Sequence, residues 1–352
     1  MRRIAVALLL AAASLVAGAA SFDPVVPGRT LAFPRDFGAH PGHRIEWWYL
    51  TGVLQAERGP MGFQVTFFRV RNPEAEGNPS RFAPAQVLFA HAALADPARG
   101  RLLHDERSAR AYDGLAYAST ADTDVRIDDW TFARDAGIYR ARIEAEAFSL
   151  DLAAEPTQAV LPEGDRGYSR KGPLASQASY YYSEPQLRVS GRVRTASGEE
   201  RVTGVAWLDH EWSSEYLAPQ AAGWDWLGAN LDDGSALMAF RMRAKDGGVL
   251  WSQATFRPKG GAAVTYSGDA VRFTPLRRWK SPRTGVEYPV AMSVEVAQRR
   301  WTLAPLMDDQ EMDARASTGT LYWEGAVRIA GEGAAGGVGY LELTGYAGRA
   351  PF

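Results

Sequence analysis

Within Trp207-Leu208-Asp209-His210-Glu211-Trp212, an otherwise hydrophobic strand acquires three ionisable groups in a row. Side chains alternate across a strand, so Asp209 and Glu211 point one way and His210 the other, with Leu208 and Ala206. An imidazole among apolar neighbours responds to burial and to nearby carboxylates. His210 therefore reads either as a site residue or as a hydrogen-bonded pin at a domain junction. A second candidate is Trp224-Asp225-Trp226, a carboxylate between two indoles. Buried there, Asp225 would hold its proton, and a protonated acid in an aromatic cage can protonate an alkene. The cation that results is stabilised by indole and phenol faces, by roughly 2 kcal/mol each when desolvated. Tyr180-Tyr181-Tyr182 and Trp47-Trp48-Tyr49 offer further faces. The plainer reading of Asp225 is a hydrogen bond at the mouth of a barrel.

The chain has five histidines. His104 lies in a polar segment and reads as superficial. His91 lies in the apolar run Leu88-Phe89-Ala90-His91-Ala92-Ala93 and is expected to point into a barrel. His40-Pro41-Gly42-His43 has a loose metal-like spacing, but the sequence fixes no carboxylate or third histidine beside it, so no metal site is expected. Asp122, Asp124, Asp128 and Asp129 read as a solvated turn rather than a calcium loop. No G-x-S-x-G, H-E-x-x-H, P-loop or dinucleotide glycine pattern occurs, and no cysteine exists to act as a nucleophile. No cofactor is expected.

The elements that must position these residues are strands. Apolar and polar residues alternate in Phe63–Phe67, Leu187–Val193 and Tyr322–Ile329, and almost nothing has a helical period. Thr195–Gly198, Asp232–Gly234 and Lys245–Gly248 read as hairpin turns. An internal repeat is visible. Glu46-Trp47-Trp48-Tyr49-Leu50 followed by Val65-Thr66-Phe67-Phe68-Arg69 matches Gly223-Trp224-Asp225-Trp226-Leu227 followed by Leu237-Met238-Ala239-Phe240-Arg241. The fold expected is all-β, two tandem antiparallel up-and-down barrels of lipocalin type. The first would occupy residues 21–216 and the second 217–352, with Leu217–Ala222 as linker.

Arg2, Arg3, the apolar run Ile4–Val16 and Ala17-Gly18-Ala19 form a signal-peptide pattern over residues 1–20, too short in its apolar part to span roughly 30 Å of bilayer. Export to the periplasm or beyond, with no stable membrane span after cleavage, is expected. Without cysteines, 352 residues at 46% hydrophobic must be held by apolar burial alone. A net charge of −2 and no basic stripe argue against nucleic acid as a partner.

The tracts Glu46–Gly52, Gly62–Arg69, His91–Ala93, Trp207–Trp212, Gly223–Trp226 and Leu343-Thr344-Gly345-Tyr346 together resemble the AttH/hydroxyneurosporene-synthase family, whose members are often labelled predicted secreted hydrolases. The resemblance runs over nearly the whole chain after residue 20 and implies two lipocalin-like domains. One branch of that family comprises carotenoid 1,2-hydratases, which add water to a terminal isoprenoid double bond by acid catalysis without a cofactor. Their His-x-Trp maps onto His210 and Trp212, and their aspartate best matches Asp225. Bacterial relatives often accompany ABC permeases, which implies a transporter partner. Two functions are thus expected. One is an exported binder of a small apolar, lipid or isoprenoid-like ligand, contacted by Trp47, Trp48, Tyr49, His91, Tyr181, Trp207, Trp224 and Trp226. The other is a hydro-lyase using Asp225, His210 and Trp212. A hydrolase finds no nucleophile or metal site in the sequence.

Overall fold

A computed structural model describes residues 21–348 apart from Arg81, Asp113 and Tyr216. The expected signal peptide lies outside the described residues. The regular structure of the described chain is strand apart from three 3-10 turns of three residues each, and none of its helices is long and apolar enough to cross a membrane.

Thirteen strands form the first sheet. They are β1 (Ile45–Ala56), β2 (Gly59–Arg71), β3 (Gln86–Ala95), β4 (Leu103–Arg110), β5 (Ala116–Ala118), β6 (Asp124–Ile127), β7 (Trp130–Asp135), β8 (Ile138–Glu144), β9 (Phe148–Glu155), β10 (Leu161–Pro162), β11 (Tyr168–Arg170), β12 (Ala178–Thr195) and β13 (Gly198–Glu215). Ten form the second: β14 (Ala221–Leu231), β15 (Ala236–Ala244), β16 (Val249–Arg257), β17 (Val264–Ser267), β18 (Val271–Lys280), β19 (Glu287–Val296), β20 (Arg299–Pro305), β21 (Glu311–Ala314), β22 (Thr320–Glu332) and β23 (Gly337–Leu343).

Both sheets follow one plan. Each meanders through antiparallel neighbours and then pairs its last strand with its first, β13 with β1 and β23 with β14. The seams fall between β4 and β5 and between β17 and β18, which the sheet order leaves unpaired. The result is two curled, nearly closed barrels joined through the short link between β13 and β14. The three expected hairpin turns are present, and Gly234 and Gly247 take the left-handed backbone their turns require.

Alternation sorts the side chains. Trp48, Leu50, Phe63, Phe67, Trp130 and Leu208 fill the first barrel. Leu227, Phe256, Tyr288, Trp301 and Trp323 fill the second. The intervening positions of the same strands face the other barrel, where Tyr49, Val53, Trp207, Trp226, Met238 and Phe240 form a third apolar cluster. With both interiors packed by side chains, ligand space must be sought between the barrels.

Gly62 of β2 marks a close approach of the two barrels. A Cβ built there would lie 2.5 Å from Cβ of Ala326 on β22, with rigid sheet on both sides. Gly62→Leu is therefore expected to lower stability by ~1–3 kcal/mol, the usual cost of overpacking. Thermal unfolding would check it, and an unchanged Tm would mean that the contact is loose.

Candidate functional site: an acid-lined cavity between the barrels

The row of residues that crosses β13, β1, β2 and β3 builds one wall. Asp209 pairs with Tyr49, Tyr49 with Thr66, and Thr66 with His91. One step along, Glu211 pairs with Trp47 and Trp47 with Phe68. All point outward from the first barrel. The second barrel answers with Trp224, Trp226, Phe240, Met242, Tyr322, Glu324 and Glu342, and Lys171 enters from the segment before β12. The cavity they enclose measures about 80 Å³, room for several waters. A wider cleft of about 700 Å³ follows the linker past Arg44, Leu217, Pro219 and Lys245. Its one carboxylate is Glu215 and it holds no imidazole, so it assembles no chemistry.

Four carboxyl groups therefore meet one ammonium among aromatic rings. Lys171 Nζ lies 2.8 Å from Glu211 and over the rings of Phe240 and Tyr181, at 4.3 and 4.6 Å. The other three acids have no such cation. Burial pushes Glu342 up to about 8; the Trp224 indole N–H, donating at 2.9 Å, opposes this, and Asp209, Glu211 and Asp225 reinforce it. Burial and Glu342 hold Glu324 well above the ordinary carboxyl range, and the Tyr49 hydroxyl donates to it. Burial likewise raises Asp209 to about 7, against donation from Ser183 (2.6 Å), Tyr181 (2.5 Å) and Trp207 (2.6 Å). His91 is held neutral, pushed down to about 3 by burial. Accepting the Tyr322 hydroxyl's hydrogen bond at Nδ1 leaves its Nε2–H to donate to Ser317 at 2.8 Å, and Ser317 in turn bonds Glu106.

The expected site residues divide into three groups. Trp47, Tyr49, His91, Trp224 and Trp226 line the cavity. His91 faces the space between barrels, not a barrel interior as its apolar run suggested. Tyr181 and Trp207 stand one layer behind: Tyr181 donates to Asp209 and accepts the Trp226 N–H at 3.1 Å. Trp48, His210, Trp212 and Asp225 face away from the cavity. Trp48 stacks on His210 inside the first barrel, at 4.6 Å between ring centres. Imidazole Nε2 of His210 meets Glu46 at 2.8 Å and Nδ1 meets Tyr182 at 3.0 Å, while Trp212 stacks on His40.

Asp225 departs furthest from expectation. Its neighbours Trp224 and Trp226 do face the cavity, so alternation sends Asp225 inward. There it accepts from Arg241 at 2.6 Å, Arg243 at 3.1 Å and Tyr346 at 2.9 Å. Turned away from the cavity and bound by two guanidinium groups, Asp225 does not reach a ligand held between the barrels.

Sequence reasoning passed over Lys171, Glu324 and Glu342, and it placed Asp209 and Glu211 on one face without giving them a role. The signal existed. In Leu341-Glu342-Leu343 and Trp323-Glu324-Gly325 a lone acid interrupts an apolar strand, and burying it is costly unless something uses it.

The AttH-like family profile matches residues 24–346. The chain belongs to the AttH-like family. A crystal structure from Nitrosomonas europaea, assigned as an AttH, is 52% identical, superposes with a TM-score of 0.87, and covers 92% of this chain and 100% of its own. Kievitone hydratase from Nectria haematococca shares the fold at 13% identity, with a TM-score of 0.68 over 93% of this chain and 96% of its own. CghA, solved with Sch210972, does so at 15% identity, with a TM-score of 0.53 over 87% and 90%. No curated protein matches the chain by sequence.

Two outcomes follow from these environments. Asp225→Asn should cost on the order of 3 kcal/mol by leaving buried guanidinium charge uncompensated, read by chemical denaturation, while ligand binding in the cavity stays unchanged. Glu342 keeps its proton to about 8 when folded, against an ordinary value of 4.5. Its contribution to stability is then complete below the lower value and is lost as pH rises through the higher one. Glu342→Gln should melt above the wild type at about pH 9 and lose that advantage near pH 5. A melting difference independent of pH would contradict the assignment.

Proposed function

We propose that the cavity between the barrels binds a small, largely apolar, unsaturated molecule and adds water across one of its double bonds by general acid catalysis. One observation carries this reading: Glu342, a carboxyl that holds its proton at neutral pH, opens into a cavity walled by indoles. Such a group has the proton affinity a general acid needs near pH 7.

The chemistry balances within the site. Glu342 gives its proton to one alkene carbon, and the π electron pair forms the new C–H bond. The positive charge left on the other carbon lies among the rings of Trp47, Trp224 and Trp226, which attract it through their faces. Water attacks that carbon, and its surplus proton passes to Glu211, which the Lys171 ammonium holds in place. Glu342 recovers the proton from Glu211. The net change is alkene plus water to alcohol, with the reverse elimination along the same path. Elsewhere the fold hosts a hydratase, kievitone hydratase, although that likeness concerns the fold alone.

The test uses small isoprenoid alkenes of five carbons, prenol first, incubated with the purified protein in isotopically labelled water. Wild type is expected to incorporate label, with a rate that falls tenfold per unit above about pH 8. Glu342→Gln is expected to lose incorporation at least a hundredfold while retaining binding. Binding without incorporation by the wild type would overturn the hydratase reading and leave a carrier of an apolar molecule, for which a transporter partner becomes the next thing to seek.

A further inference from the structure

The opposite face of the same strands holds a second constellation. At one end of the first barrel, Nδ1 of His40 and Nε2 of His210 both approach Oε1 of Glu46, at 2.7 and 2.8 Å. The three donor atoms lie within 4.8 Å of one another, and His210 and Glu46 are fully buried. They come from three separate places: the segment after the Arg35–Phe37 turn, β1 and β13. The sequence set His40 and His43 aside for want of a fixed carboxylate and a third imidazole; the fold supplies both.

We propose that His40, Glu46 and His210 bind one divalent cation of the zinc class. Two imidazoles and a carboxylate are a donor set that suits Zn²⁺ or Co²⁺ and disfavours Ca²⁺ and Mg²⁺, which take all-oxygen shells. The outer nitrogens are already placed as metal-bound histidines require. Nε2 of His40 faces the Asp36 carboxylate at 3.3 Å, and Nδ1 of His210 faces the Tyr182 hydroxyl at 3.0 Å. Partners of that kind fix the ring and leave the inner nitrogen free to ligate. His43 adds an independent observation. It is buried, its ring centre is 6.2 Å from that of His40, and neither of its nitrogens has a hydrogen-bond partner among the described residues. An unpartnered imidazole so placed can turn to the cation as a fourth ligand. Arg69 holds the other carboxylate oxygen, Oε2, at 2.8 Å, which leaves Oε1 to face the histidines. The cation takes the place of the protons now shared between Oε1 and the two rings.

The experiment titrates chelator-treated full-length protein with Co²⁺ and then Zn²⁺. One equivalent of Co²⁺ should bind with the visible absorption of a nitrogen-ligated, low-coordinate ion, and Zn²⁺ should displace it and raise Tm. Ca²⁺ and Mg²⁺ at the same concentration should do neither. His40→Ala should weaken Zn²⁺ binding about a hundredfold or more, and Asp36→Asn about tenfold or more. X-ray absorption at the zinc edge of the loaded wild type should count at least two imidazoles, a reading that needs no variant to fold. No saturable one-equivalent binding, a zinc shell without two imidazoles, or affinity unchanged in folded His40→Ala would each overturn the proposal.

Discussion

Each barrel presents one wall that cannot be left to water, and the two walls cover each other. Trp207, Tyr49 and Val53 on one side and Trp226, Phe240 and Met238 on the other are apolar and buried, yet none belongs to a barrel interior. Contiguous apolar surface of this kind on a single barrel would invite association. Packing wall to wall solves the problem, but it also carries every polar side chain on those walls out of solvent. Asp209, Glu324 and Glu342 are pushed toward their protonated forms because they are trapped there. The acidity of the cavity is a consequence of how the barrels are held together.

The strand alternation that makes the cavity also makes its opposite. On β13, Asp209 and Glu211 face the cavity while His210 and Trp212 face the barrel end that the N-terminal segment covers. On β14, Trp224 and Trp226 face the cavity while Asp225 meets two arginines. Short motifs such as Asp-His-Glu and Trp-Asp-Trp thus belong to two environments at once. On the cavity side burial raises Glu342, whereas on the far side two arginines compensate Asp225.

This explains what the sequence made legible. The fold class, the hairpins and the split of Asp209 and Glu211 from His210 all follow from local patterning, which the period of two encodes directly. Which face of a strand matters does not. The eye goes to His210 and Asp225 because histidine and a caged aspartate look reactive, but the burial that perturbs Glu342 comes from β14 across the sheet and from the other barrel. Lys171 has no local signal at all: it lies between β11 and β12, and only the packed structure brings it to Glu211. Likewise, His40 gained a carboxylate and a second imidazole only when β1 and β13 came together.

The duplication seen in the chain has a geometric corollary. Trp47 and Tyr49 occupy the repeat positions of Trp224 and Trp226, and Phe68 that of Phe240, and all six line the cavity. Arg69 and Arg241 also occupy matching positions, but Asp225, the partner of Arg241, falls at the position of Trp48 and not of Glu46. Equivalent surfaces facing each other are the signature of a two-fold axis, the arrangement of a homodimer built on a self-complementary patch. A lone ancestral barrel pairing with its twin would have met across the same wall, with identical halves. Joining the halves in one polypeptide releases them from identity, so that one side could acquire Asp209 and Glu211 on its last strand while the other kept a single Glu342 on its own.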